Sequence, residues 1–303
     1  MFPLAPPRLF QPFPPPAPHA AVPFFAHAAQ LPQPPPPHAA VPYNNGGVVG
    51  HAVAPPPVFG LHIRPVTAAN YEAELDAIGF LLTRFPFVAI DTEYPGTLGI
   101  TLCDEFGNLP VVFDSHGRPF ELAWEATFSD FDARRDRHAP ESVAFLRSQG
   151  VDFDLARARG VSSAAFAAKL AAVLSSMPQQ QRDELTWAAF GGAYDFAYVV
   201  KMLAGGRTLP ETWHEFAPLA RALLGGRVFD AKYMAEHCER ADLCRGGGLS
   251  RVAAILDVQP NNFQCLAGRK SHRACRVFTA MRRRILYQDG GARHEGFIDG
   301  LHR

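Results

Sequence analysis

The chain has 303 residues, 48% of them hydrophobic and 19% charged, and its 29 basic and 29 acidic side chains leave a formal net charge of zero. That balance suits a soluble protein with a sizeable core and excludes a global electrostatic pull toward nucleic acid, so any such role must rest on a local site. No apolar run reaches the length of a membrane span, because proline or charge interrupts each one, and the N-terminus has the composition of neither a secretory signal nor a transit peptide.

The composition is uneven. Of the 28 prolines, 18 fall in residues 1–60, where Arg8 is the sole charged residue. Such a segment cannot bury enough apolar area to offset its ordering entropy, so residues 1–60 are expected to be a disordered or polyproline II tail. Residues 61–303 read as one folded domain. Tyr71, Leu75, Ile78, Leu82 and Phe85 fall on one helical face that Pro86 stops, and Phe87–Asp91 suits a buried strand. Leu98–Cys103, Pro110–Phe113 and Phe120–Trp124 then form a meander with turns at Gly107-Asn108 and Ser115–Pro119. Glu141–Ser148 and Ser162–Met177 have helical patterns. Leu185–Phe190 reads as a strand, Tyr194–Leu203 and Glu211–Leu224 as helices, and Arg227–Phe229 as a short strand. Leu249–Leu256 and Ser271–Tyr287 complete the helices. A meander followed by alternating strands and helices is an α/β or α+β mixed sheet with helices on both faces.

Five cysteines, Cys103, Cys238, Cys244, Cys265 and Cys275, are an odd count in a long chain, which points to free thiols in a reducing compartment. With His237 and His272 they supply zinc-ligand chemistry, but no C-x-x-C knuckle is present, and idle thiols are the default.

Asp91 and Glu93 end an apolar strand. Positions i and i+2 of a strand share a face, so both carboxylates enter one cleft, where they repel unless a cation stands between them. Oxygen ligands alone favour Mg²⁺ or Mn²⁺. Asp195 lies in the first turn of the helix that follows another apolar strand, where sheet ends and helix starts converge. Each acid has a bland alternative: a solvated strand end for the first two, and a favourable helix-dipole contact for Asp195.

The stretch Phe87–Gly96, FVAIDTEYPG, closely resembles the first catalytic motif of the Caf/Pop-type deadenylases, RNA-trimming subunits of the CCR–NOT complex. Tyr194–Lys201, YDFAYVVK, is similar to their second motif, and Gly247–Leu256, GGLSRVAAIL, to the helix before their last one. Gly107-Asn108-Leu109-Pro110, Gly117-Arg118-Pro119 and Leu146–Phe153 match in order, so the resemblance covers the chain from about residue 61 onward. It implies a ribonuclease-H-like mixed sheet and removal of poly(A) from 3′ ends by two divalent metals on four acids. It further implies partners in poly(A) RNA, the NOT scaffold and the complex's other deadenylase subunit, with no membrane, in nucleus and cytoplasm. By the resemblance Asp91 bridges the metals, Glu93 serves the water-activating one and Asp195 the other.

Two departures from the family pattern concern the site. Where the fourth aspartate belongs stands Lys270, and where a proton-accepting histidine belongs stands Cys265; no acidic residue occurs from Val258 to Gln288. His272 is about 200° round a helix from Lys270 and substitutes poorly. The family's long segment between the first motif and the next strand is also missing, so Pro95-Gly96 runs almost directly into Thr97–Cys103. Exchange of aspartate for lysine changes the formal charge of the four positions from −4 to −2, which favours one weak Mg²⁺ or Mn²⁺ site over a tight pair. Arg269, Lys270, Arg273, Arg276, Arg282, Arg283 and Arg284 crowd one acid-free stretch. This cluster is either a phosphate-binding surface or a solvated helix face. Three functions stay open: a catalytic deadenylase, a pseudo-nuclease kept as an interaction module, and an RNA-binding protein using the basic helix.

Overall fold

In the computed structural model, which describes residues 59–94, 96–258 and 266–301, the strand expected at Phe87–Asp91 runs on to Glu93. The expected tail lies, up to residue 58, outside the described residues, as does Cys265. The order of elements is β1 (Gly60–Val66), α1 (Tyr71–Leu82), β2 (Phe87–Glu93), β3 (Thr97–Cys103), β4 (Val111–Phe113) and β5 (Pro119–Thr127). There follow α2 (Pro140–Ser148), α3 (Phe153–Arg159), α4 (Ser163–Ser176), α5 (Gln179–Glu184), β6 (Thr186–Ala189), α6 (Ala193–Leu203), α7 (Trp213–Leu224) and β7 (Arg227–Asp230). The chain closes with α8 (Ala231–Glu236), α9 (Leu249–Ile255), α10 (Ala267–Ala280) and a π-helical turn, Met281–Ile285.

Seven strands form one mixed sheet in the order β1-β5-β3-β2-β6-β7, with β4 beside β5. The meander pairs antiparallel, whereas β1 lies parallel to β5, and β6 and β7 run parallel to β2. β2 is central, and its alternation divides the core. Val88 and Ile90 pack with α1, α4, α6 and α7, while Phe87 and Ala89 pack with α8, α9 and α10 on the opposite face. A strand covered on both sides reads as an unbroken apolar run, which is why Phe87–Ile90 lacks polar alternation.

Besides a 3-10 turn at Ala292–His294, one strand and three helices escaped the sequence reading: β1, α3, α5 and α8. β1 contains Pro65, an unfavourable strand residue except at a sheet edge, and β1 is the edge. α3, α5 and α8 span six or seven residues each, too short to show a helical period. The last helix begins four residues before the expected Ser271. Its N-cap residue, Leu266, provides no side-chain acceptor; Glu125 of β5 accepts from the Gly268 N–H instead, at 2.8 Å. A cap supplied from another strand leaves no local signature.

This contact is permitted by one glycine. Asp91, Gly99 and Glu125 are register partners across β2, β3 and β5, so the three point to the α10 face in one row. At Gly99 an added Cβ would lie 2.0 Å from the Ala267 carbonyl oxygen and 2.6 Å from the Gly268 nitrogen. The absent side chain lets the backbone of α10 rest on the sheet. Gly99→Ala should therefore cost about 3 kcal/mol, at the upper end for overpacking because the obstacle is backbone. Urea unfolding checks this; a loss below about 1 kcal/mol would show that the start of α10 can lift away freely.

Candidate functional site

β2 carries the first two acids to its C-terminal end. Alternation continues through Glu93, so Asp91 and Glu93 share the α10 face as expected, and Thr92 points to the α6 face. Asp195 approaches from that second face. Its Oδ1 accepts from the Thr92 amide at 2.7 Å and from the Thr92 hydroxyl at 2.5 Å. The three acids thus straddle the strand end, two on one face and one on the other.

Asp195 is held there by its helix start. Gly191 and Gly192, just before α6, donate their amides to the two carboxylate oxygens of Asp230, each at 2.9 Å. Asp230 is fully buried at the end of β7 and also accepts from Lys232 N at 2.8 Å and from Asp299 N at 3.0 Å. One carboxylate therefore joins the α6 start, the α8 start and the C-terminal segment. Its signal was present in the sequence, an acid ending an apolar strand, the same signal that marked Asp91.

Lys270, in the first turn of α10, forms an ion pair with Glu93. Both are sheltered, with side-chain exposures of 29% and 11%. Burial holds Asp91 well above the usual carboxylate range; the charges of Asp195, Glu93 and Glu125 push the same way, and Lys270 opposes them. Asp91 Oδ2 is buried without a hydrogen-bond partner among the described residues. Asp195 is raised to about 6, first by burial and then by Asp230, against the two Thr92 bonds and Lys270. Glu125 is raised by burial, against its bond from Gly268. Thr92 and Glu125 went unnoticed in the sequence because only the folded sheet brings them to Asp195 and to the start of α10.

An orphaned buried carboxylate oxygen is what a cation site offers. Yet among the described residues no three histidine, cysteine or acidic side chains are grouped to hold a metal ion. Lys270 stands against Glu93 instead, and with that pair closed the side chains as placed do not fit a resident divalent metal.

His272 does not face this centre. Its Nε2 lies 3.0 Å from Glu121, which also pairs with Arg276, and burial lowers the imidazole's affinity for a proton. The basic cluster is largely engaged within the chain. Arg273 donates to Ser250, Arg276 to the Gly107 carbonyl, Arg283 to that of Phe106 and Arg284 to that of Leu256. Arg282 donates to the Gly290 carbonyl and stacks over Phe87 at 4.5 Å. These guanidinium groups fasten the last helix to its neighbours, which weakens the reading of a free phosphate-binding face.

The short link after Glu93 leaves an opening. Glu93 and Thr97 are register partners across a tight turn, and beside them a cleft of about 280 Å³ is lined by Glu93, Tyr94, Glu141, Ser142, Phe145 and Leu146. Tyr94 is half exposed there, and Tyr194, next to Asp195, is 79% exposed. Exposed aromatics beside a strand-end acid centre suit stacking of single-stranded bases.

No family model matches the chain. "Probable CCR4-associated factor 1 homolog 5" of Arabidopsis thaliana is 31% identical over 227 residues, covering 70% of this chain and 79% of that protein. The chain belongs to the CCR4-associated factor 1/Pop2 family. The poly(A) ribonuclease pop2 of Schizosaccharomyces pombe is 29% identical over 258 residues, 75% of this chain and 71% of that one. The structure of S. pombe Pop2p with Mg²⁺ and Mn²⁺ bound has a TM-score of 0.65 at 27% identity, over 79% of this chain and 99% of that one. Yeast CAF1, solved with the NOT1 MIF4G domain, shares the fold, with a TM-score of 0.62 at 19% identity over 80% and 98% of the two chains. The mixed sheet read from the sequence is thus the fold of the family's ribonuclease domain.

The raised Asp195 has a consequence for stability. Its folded value, about 6, exceeds the ordinary 3.8, so the folded chain holds this proton more tightly than the unfolded one. The stability it contributes is complete below about pH 4 and lost as pH rises through 6. Asp195→Asn keeps an acceptor for Thr92 and removes the titration. In chelator-treated protein, the free-energy difference between variant and parent should grow in the variant's favour by about 3 kcal/mol from pH 4 to 7. Urea unfolding across that range tests it, and a flat difference would show that Asp195 is solvated.

Proposed function

We propose that this chain acts on poly(A)-tailed mRNA as a CCR4-associated factor subunit of the CCR–NOT complex, in nucleus and cytoplasm, with its own 3′–5′ nuclease activity weak or lost. The observation that carries the second half is the Lys270–Glu93 ion pair inside the acidic centre. The first half is supported by the family, by the relatives named for poly(A) ribonuclease activity, and by yeast CAF1 solved with NOT1. In this reading Asp91, Glu93 and Asp195 are the remnant of the family's four acids, and divalent binding is reduced to one weak Mg²⁺ or Mn²⁺ site. The aromatic rim supports retention of single-stranded RNA where cleavage has faded.

Catalysis should be partly recoverable. Lys270→Asp returns a fourth carboxylate and removes the competing ammonium in one step, and Cys265→His returns a proton acceptor with a pKa near working pH. Shortening of a labelled poly(A) oligonucleotide in Mg²⁺ or Mn²⁺ is the assay. The double variant should exceed either single change and the parent by about 10²-fold or more, and Asp91→Ala in that background should abolish the gain. A parent that already trims poly(A) at a rate Asp91→Ala eliminates would end the reading of lost activity.

RNA retention is tested separately. Tyr194→Ala should weaken poly(A) binding by about 1–3 kcal/mol, the worth of one stacked base. Fluorescence anisotropy with a poly(A) oligonucleotide measures it, and unchanged affinity would remove Tyr194 from the RNA path.

A further inference from the structure

Four sheltered carboxylates stand at the end of β2: Asp91, Glu93 and Glu125 on the α10 face and Asp195 on the other. Like charges sheltered from water repel one another and gain from a cation placed beside them. We propose that Lys270 is the resident cation of this centre, a tethered ammonium that binds the carboxylates together without a metal and competes with any divalent ion that enters. The inference rests on the centre as read above, and concerns what holds it together, independently of whether RNA is cut.

Three observations converge. The ammonium pairs directly with Glu93, and its charge eases the ionisation of Asp91 and Asp195 as well. Its position is imposed by the backbone: α10 rests on Gly99, and the Gly268 amide is bound by Glu125, which sets Lys270 two residues further on. Finally, the first turn of a helix is electrostatically unfavourable for a positive side chain. Lys270 occupies that turn, and the facing acids supply the compensation that the helix itself withholds. Arg269, its neighbour on the same turn, acts on Glu125, whereas Lys270 acts on Asp91 and Asp195.

Thermal unfolding of the full chain decides the matter, in excess EDTA and in sub-millimolar Mn²⁺. The parent should melt at the same temperature in both. Lys270→Met, which keeps the length and removes the charge, should melt about 5 °C lower in EDTA and recover most of that in Mn²⁺, because a buried charge has lost its partner and a divalent ion can now replace it. Lys270→Arg should share the parent's indifference to metal. If Lys270→Met does not fold in EDTA, recovery of folded protein in Mn²⁺ alone supports the inference, and failure in both overturns it. A parent stabilised by Mn²⁺ as much as Lys270→Met overturns it, as does Lys270→Met melting like the parent in EDTA. Electron paramagnetic resonance of Mn²⁺ gives a second reading: tight stoichiometric uptake by the parent overturns the inference whatever the variants do. No arm contains RNA, so the melting result is read apart from the poly(A) assay, and an inert parent in that assay does not by itself support the inference.

Discussion

The close approach of α10 to the middle of the sheet is the contact on which the arrangement depends. A peptide carbonyl can settle over β3 because position 99 has no side chain, and the approach delivers three things together. It covers the apolar face of β2 with Val277 and Phe278, it presents an unsatisfied helix amide to Glu125, and it brings Lys270 to Glu93. The helix is then fastened along its length by arginines that bond carbonyls of neighbouring loops. Packing and electrostatics are inseparable here, since the lysine that pairs with Glu93 rides on the element that closes the core.

That coupling explains how an acidic centre persists with a lysine at its edge. Replacement by a neutral residue would leave the buried carboxylates to repel one another, with Asp91 and Asp195 already driven toward their protonated forms. A lysine relieves that repulsion from within the fold. In the proposed reading, the residue that weakens the nuclease chemistry is also one that the local field accepts.

Much of this was legible in the sequence where the information is local. The apolar run Phe87–Asp91 predicted a buried strand, the spacing of Asp91 and Glu93 put them on one face, and the motifs around Asp91 and Asp195 pointed to the fold and the family. What stayed hidden is non-local. Glu125 matters because of a register three strands wide, and the early start of α10 because its cap comes from β5. The arginine cluster looked free because sequence shows charge and not the carbonyls that occupy it. The expectation that Asp91, Glu93 and Asp195 converge was half geometric: alternation set the first two on one face, and only the folded chain reveals that Asp195 comes from the other.

Asp230 carries a consequence for the order in which the molecule is built. Its carboxylate takes hydrogen bonds from residues 191 and 192 behind it and 299 ahead of it. The helix that covers β2 and β3, α10 at Ala267–Ala280, follows Phe87–Cys103 at a far greater separation in the chain. A ribosome must therefore release almost the whole domain before either closure can form, and loops so long are slow to close. Until then β2 exposes an apolar face and the carboxylates at its end lack their cation. The nascent chain therefore cannot close this core before α10 and residue 299 have emerged, and until then its apolar face needs shielding from other chains.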